Sequence, residues 1–333
     1  MKTDIVIIGA GPIGIFTAFQ AGMLNMSCHI VDVLDQAGGQ CIALYPEKPI
    51  YDIPGYHIIT GRELIEKLVE QAAPFKPIYH FNQKVKNIIV NADNIIVATN
   101  KETEIECKAI IIAAGNGIFE PKKPPLKNIS EYENKSIFYS ISKISQFQDK
   151  IITIAGGGDS AIDWAIELTK VAKKINIIHR RKDFRCAPET KNKLQLLSDS
   201  GLLEIVVPYQ LHKLVGNDGI LDVLLVKNIV SGEEKQLQTE YLLPFFGLST
   251  NLGPINNWDI EIKHGRIVVN SGTLRTSRER IYAIGDIATY PCKLKLILNG
   301  FAESSMACYD IYKIIYPNLP LNFQYSTTKG VDF

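Results

Sequence analysis

Residues 4–32 read DIVIIGAGPIGIFTAFQAGMLNMSCHIVD and constrain the fold of this chain more than any other stretch. An apolar run over residues 5–8 has the composition of a strand buried on both faces. Gly9, Gly11 and Gly14 follow as G-x-G-x-x-G. A helical pattern then runs to about residue 25, and a second strand over residues 29–31 ends on Asp32. This strand–helix–strand order is the context in which a glycine fingerprint binds a dinucleotide. Gly9 is expected to allow the tight turn, Gly11 the close approach of a pyrophosphate, and Gly14 the packing of helix on strand. The helix N-terminus offers unpaired N–H groups to the phosphates. The Asp32 carboxylate favours free ribose hydroxyls, and so FAD or NAD(H), and disfavours a 2′-phosphate.

A second unit of the same kind begins at residue 151 as IITIAGGGDSA. A strand leads into Gly156, Gly157 and Gly158, then Asp159, Ser160 and Ala161 open a helix expected over residues 162–172. Ala161 replaces the third glycine and still allows close helix packing. The next strand, residues 175–178, ends on His179, Arg180 and Arg181, with Arg185 close behind. Guanidinium groups grip a phosphate bidentately, so this unit is expected to take the 2′-phosphate of NADPH. A solvated basic loop is the alternative reading.

With 333 residues the chain has room for two domains. Its net charge of +1 supports neither nucleic acid nor an anionic membrane as a partner. No apolar run approaches the length of a membrane-spanning helix. The sequence enters a strand at once, which predicts no signal or transit peptide and a cytoplasmic protein. The 6 cysteines form no CxxC, so neither a local dithiol nor a metal site is expected.

Residues 36–55 are rich in Gly and Pro and follow the second strand directly, so they are expected to run over the ligand. Gln40 offers a polar edge there and Tyr45 an aromatic face. Residues 60–74 predict a helix, with Thr60 and Glu63 as a capping box. Short strands are expected around residues 85, 88–90 and 95–97. Glycine- and proline-rich passages after residue 112 and near residues 242–254 predict two crossings between domains. Residues 281–284 read as a strand that delivers Asp286 to the head of a helix, where its carboxylate can accept from a polyol. A last helix is expected over residues 300–314.

In this order the parts resemble the two-dinucleotide-domain flavoprotein reductases. GAGPIG is similar to their FAD fingerprint, TSRERIYAIGD to their second FAD motif, and GGGDSA with HRRKDFR to their NADPH site. Thioredoxin reductase carries CxxC shortly before its glycine motif, but residues 139–147 here contain no cysteine. The chain instead resembles the bacterial ferredoxin/flavodoxin–NADP reductases of the thioredoxin-reductase-like type. The resemblance rests on Gly38-Gly39-Gln40, residues 43–52, residues 114–121, GGGDSAIDWA and Tyr325-Ser326-Thr327.

That resemblance implies an α/β fold with two Rossmann-like, three-layer ββα domains. Residues 1–118 and 248–333 would bind FAD, and residues 119–247 NADPH. Carried over by motif, the FAD contacts are Gly9, Gly11, Gly14, Thr17, Asp32, Gln40, Tyr45, Val85, Phe119, Asp286 and Thr327. The NADPH contacts are Gly156, Gly158, Asp159, Ser160, Ala161, His179, Arg180, Arg181 and Arg185. Tyr45 would stack on one face of the flavin and Tyr325 on the other, across a homodimer interface. The implied activity is hydride transfer from NADPH to FAD, then single electrons to a transiently docked ferredoxin or flavodoxin, with no acid–base residue. Lys122, Lys123, Lys293 and Lys295 could meet an acidic ferredoxin, or form ordinary solvated surface. Three other readings compete: a disulfide reductase using Cys28 or Cys41, a flavin-binding sensor without catalysis, and a reductase of quinones or free flavins.

Overall fold

The computed structural model of the protein describes residues 1–321 and Gly330. The chain forms two compact units, Met1–Phe119 with Thr250–Phe333, and Glu120–Ser249. The two passages between them, Ile118–Pro121 and Leu248–Asn251, pair as a two-stranded ribbon.

The first unit is built on a five-stranded sheet in the order Ile281–Ala283, Ala109–Ile112, Ile5–Ile8, Cys28–Val31, Ile78–His80. Every pairing in it is parallel. Ile5, Ile7, Ile110 and Ile111 are fully buried, as strands covered on both faces require. Helices Pro12–Met23, Gly61–Ala72 and Ile297–Ile315 pack together to cover the sheet. An antiparallel sheet of Val85–Val90, Ile95–Thr99 and Glu104–Cys107 contributes Val85, Ile88, Val97 and Ile105 to the same core. The result is a ββα layering.

Local sequence explains the helix starts. Thr60 caps Gly61–Ala72: its hydroxyl accepts from Glu63 N at 3.2 Å, and Glu63 accepts from Thr60 N at 2.8 Å. The C-terminal helix starts earlier than the pattern predicts, at Ile297 and not near Gly300. Gly300 marks a close contact inside the first turn, because a Cβ there would lie 2.2 Å from Ile13 Cδ1. Asp286 does not head that helix. It sits in the single 3-10 turn Gly285–Ile287, followed by the short strand Ala288–Thr289.

The second unit repeats the plan with a four-stranded parallel sheet in the order Leu203–Val206, Lys174–Ile178, Ile151–Ala155, Tyr241–Pro244. The helix after the glycine loop is Asp159–Leu168, starting directly behind Gly158. An antiparallel sheet of Tyr209–Asn217, Ile220–Asn228 and Glu234–Gln238 buries Leu214, Leu221, Leu224 and Leu237. Glu204 pairs with Lys174 on the adjacent strand and with Lys235 on the antiparallel sheet, each at 2.6 Å.

Candidate functional site

In the first unit the three glycines of the opening loop have different surroundings. Gly9 adopts φ +109°, and a Cβ there would lie 2.5 Å from the Ala113 carbonyl oxygen. A Cβ on Gly14 would lie 1.9 Å from the Gly9 carbonyl oxygen, so helix and loop touch backbone to backbone. A Cβ on Gly11 would meet nothing within 4 Å. Gly11 therefore opens onto free space while its two neighbours are fixed by the fold.

That space is a cavity whose wall includes Gly9, Gly11, Asp32, Gln40, Tyr45, Val85 and Asp286. Asp32 directly follows the strand Cys28–Val31 and is 8% exposed, with Oδ2 accepting from Ala10 N at 2.5 Å and Oδ1 from Leu34 N at 2.8 Å. Burial raises its pKa above the ordinary value, opposed by the backbone hydrogen bonds from Leu34 and Ala10. Each oxygen retains a second lone pair for a ligand hydroxyl. Gln40 opens the short helix Gln40–Leu44, and its Nε2 comes within 3.3 Å of where a Gly115 Cβ would stand. Tyr45 follows that helix, and the Cys41 thiol donates to its hydroxyl at 3.6 Å. Burial pushes the Tyr45 pKa up, so the ring is held neutral. Asp286 faces this cavity from the turn after Ile281–Ala283.

Other expected residues stand elsewhere. Gly14 lies behind the wall as a packing residue. Thr17 does not line the cavity: it is fully buried, and its hydroxyl donates to Ile13 O at 2.7 Å and lies 3.0 Å from Ser304 Oγ. A threonine this far into the first helix meets the C-terminal helix before it can meet a ligand. The Phe119 side chain, Tyr325 and Thr327 fall outside the described residues. The lysines separate too. Lys293 is withdrawn from the surface, its side chain 6% exposed against Glu303, and Lys123 pairs with Glu133. Lys295 is exposed and lines the cavity.

Several wall residues carry no sequence signal that singles them out, among them Gln83, Lys84 and Trp258. Glu303, which is not part of the wall, does carry one. The buried stripe of the C-terminal helix is Gly300, Glu303, Ser304, Ala307, Cys308 and Ile311, and a glutamate stands in the middle of it. A charge on the apolar face of a helix marks a partner that only the tertiary structure supplies.

In the second unit the loop is built the same way. A Cβ on Gly156 would lie 2.6 Å from the Phe245 carbonyl oxygen, whereas one on Gly158 would meet nothing within 4 Å. Asp159 and Ser160 are exposed at the helix start, and Ala161 is buried beneath it. His179 lies under the loop, its ring 2.2 Å from where a Gly157 Cβ would stand, and stacks on Phe184 at 5.5 Å. Arg185 N donates to the Gly157 carbonyl at 2.9 Å and brings the arginine segment back against the glycines. Arg180, Arg181 and Arg185 are all exposed. Burial, then the charges of Arg181, Arg180 and Arg185, lower the pKa of His179. Three cations thus converge beside an open glycine loop, a field suited to an anion.

No disulfide links the 6 cysteines, all of which lie among the described residues. All are free, Cys28 and Cys41 are buried, and burial pushes their thiols up to about 12 and about 11. Such thiols are poor nucleophiles at neutral pH. Among the described residues there is no cluster that could hold a metal ion, and no helix long and apolar enough to cross a membrane.

Residues 3–304 match the family described as pyridine nucleotide-disulphide oxidoreductase. A protein of Wolbachia pipientis subsp. Culex pipiens (strain wPip), named ferredoxin–NADP reductase, is 70% identical over 332 residues, covering 99% of both chains. One of the same name from Ehrlichia ruminantium (strain Gardel) is 60% identical over 329 residues, 99% of this chain and 98% of the relative. Among solved structures, T. acidophilum thioredoxin reductase matches with a TM-score of 0.80 at 24% identity, over 94% of this chain and 98% of that one. Lactococcus lactis thioredoxin reductase gives 0.79 at 24% identity, over 95% and 99%. These two likenesses establish the thioredoxin-reductase-like fold.

Proposed function

The chain belongs to the pyridine nucleotide-disulphide oxidoreductase family, and from that premise we propose how its two glycine cradles divide the work of a ferredoxin–NADP reductase. It is an oxidoreductase that uses FAD and NADP(H). When bound, FAD supplies hydride acceptance from NADPH and one-electron exchange with ferredoxin or flavodoxin. The chain's own residues bind and orient.

The first unit is the FAD domain and the second the NADPH domain. Gly9 makes the tight turn, Gly11 leaves the backbone open to the FAD pyrophosphate, and Asp32 accepts from its ribose hydroxyls. Asp286 accepts from the ribityl chain. Gln40 and Tyr45 orient the flavin ring, and Val85 lines the far end. The residues fit this ligand because Gly11 opens onto the cavity and Asp32 keeps acceptor capacity. In the second unit Gly156, Gly158 and Ala161 shape the phosphate loop, with Asp159 and Ser160 at the helix start. Arg180, Arg181 and Arg185 hold the 2′-phosphate. His179, kept neutral, supports the loop from below. Tyr325 covers the second face of the flavin and Thr327 adds a contact, in a cytoplasmic homodimer that docks ferredoxin or flavodoxin transiently.

The observation that carries the reading is the contrast between the cradles. One ends on a buried carboxylate and the other on three exposed arginines, in a chain without a reactive dithiol. The test is anaerobic. Adding NADPH should bleach the flavin band, and adding ferredoxin should then drive cytochrome c reduction. Bleaching without ferredoxin dependence would move the acceptor to a quinone, a free flavin or a disulfide. Absence of bleaching would overturn the NADPH–flavin assignment.

A further inference from the structure

A buried charge network lies directly behind the cavity wall. Glu303 is 2% exposed on the inner face of the C-terminal helix. Its Oε2 accepts from Gly285 N at 2.7 Å, and its Oε1 accepts from the Tyr290 hydroxyl at 2.6 Å and from Lys293 Nζ. Lys293 Nζ also stands 5.5 Å from the Tyr290 ring centroid. One carboxylate therefore ties together the helix, the turn that carries Asp286, and the segment that leads to the helix start.

The surrounding packing leaves this network no slack. Gly285 has φ +71°, and a Cβ there would lie 2.7 Å from Ile13 Cδ1, the same atom that crowds Gly300. Ile13, Asp286, Lys295 and Ile297 all line the cavity. A displaced Glu303 carboxylate would release the Gly285 amide, and Asp286 is the next residue. Burying an ion pair is seldom a net gain in stability over apolar residues of similar size. Its benefit here lies in geometry and field.

We propose that Glu303 is a positioning residue for the flavin site: its carboxylate holds Asp286 in the cavity wall, and the Glu303–Lys293 pair sets the charge behind that wall. The proposal rests on the assignment of this cavity to FAD. Both charges are almost fully out of water, where salt screens them weakly. Reduction adds negative charge to a bound flavin, so an unbalanced Lys293 cation favours the reduced cofactor and an unbalanced Glu303 anion opposes it. A glutamine at 303 has one acceptor oxygen where the carboxylate has two. It cannot serve both Gly285 N and the Tyr290–Lys293 side.

The experiment measures FAD affinity by titration of apoprotein and flavin reduction potential by dye equilibration. The variants are Glu303→Gln, Lys293→Met, the double variant, and Asp286→Ala as reference. Glu303→Gln should weaken FAD on the order of tenfold or more and raise the potential. Lys293→Met should lower the potential, and the charge-neutral double variant should return it toward wild type. A purely structural role would not produce opposite signs. Potentials that move the same way in the two single variants, or not at all, overturn the proposal. So does wild-type FAD affinity in Glu303→Gln while Asp286→Ala loses affinity. Wild-type affinity in both overturns the cavity assignment itself. If Glu303→Gln does not fold, the sign of the shift in Lys293→Met decides.

Discussion

Adding one methyl group at Gly9 and at Gly11 separates what the fold requires from what the ligand requires. At Gly9 the backbone has φ +109°, and the new Cβ would stand 2.5 Å from a backbone oxygen. Left-handed strain costs about 1–2 kcal/mol and overpacking about 1–3 kcal/mol, together about 2–5 kcal/mol. Against a domain stability of about 5–15 kcal/mol this is a large fraction. It corresponds to a fall in Tm of about 4–20 °C for a unit of this size. At Gly11, with φ −70° and ψ 179°, the Cβ meets nothing within 4 Å. Alanine at this N-cap should cost no more than about 1 kcal/mol. The same methyl stands between the backbone and the pyrophosphate, where each lost charge-assisted hydrogen bond costs about 1.5–3 kcal/mol. Gly11→Ala apoprotein should therefore melt close to wild type and bind FAD at least about tenfold more weakly, whereas Gly9→Ala should melt early even without ligand. Thermal melts of both apoproteins and FAD titrations decide. A Gly11→Ala protein as unstable as Gly9→Ala, or one that binds FAD normally, would refute the argument.

Replacing Arg180 and Arg181 together with alanine should weaken NADPH by about 2–4 kcal/mol and NADH far less; equal losses would remove the 2′-phosphate clamp. In the same variant the His179 pKa should rise toward its ordinary value, because both cations help to lower it; an NMR titration reads this directly. Asp286→Ala should retain less flavin through purification, and a fully yellow variant would count against its role. Hydrogen bonds from Lys174 and Lys235 hold Glu204 below the usual carboxylate range. An acid with a lowered folded-state pKa stabilises above its unfolded value and loses that contribution as pH falls through the folded one. With its side chain 32% exposed the pair is worth about 0.5–1 kcal/mol. Glu204→Gln should therefore be destabilised at neutral pH and converge with wild type in acid, as urea melts across that range would show.

Much of the architecture was legible because it depends on local rules. Buried parallel strands read as unbroken apolar runs, and residues 5–8 and 109–112 do so. The Thr60–Glu63 capping box is set by residues three apart, and it forms where the pattern predicts. The misreadings have a common cause in long-range contact. Gly300 reads as a helix boundary until Ile13, far away in sequence, is seen to occupy its missing side chain. Lys293 reads as surface until Glu303 is seen to bury it. The surroundings of Thr17 are likewise hidden in the sequence: its hydroxyl lies between Ile13 O and Ser304 Oγ of another helix.

The sequence alone determined the two dinucleotide units, their order, and the opposite charges that close their second strands. Each of these is encoded within a few dozen contiguous residues, where backbone geometry and glycine spacing act without help from the rest of the chain. The tertiary structure alone decided which groups stand around the first cavity. Gly11, Tyr45, Val85 and Asp286 come from distant segments and meet only when the sheet assembles Ala109–Ile112 and Ile281–Ala283 beside Ile5–Ile8. It also decided that Glu303 and Lys293 would be buried together. A charge has no periodicity of its own, and the energy that makes burial tolerable comes from partners the linear sequence does not bring together.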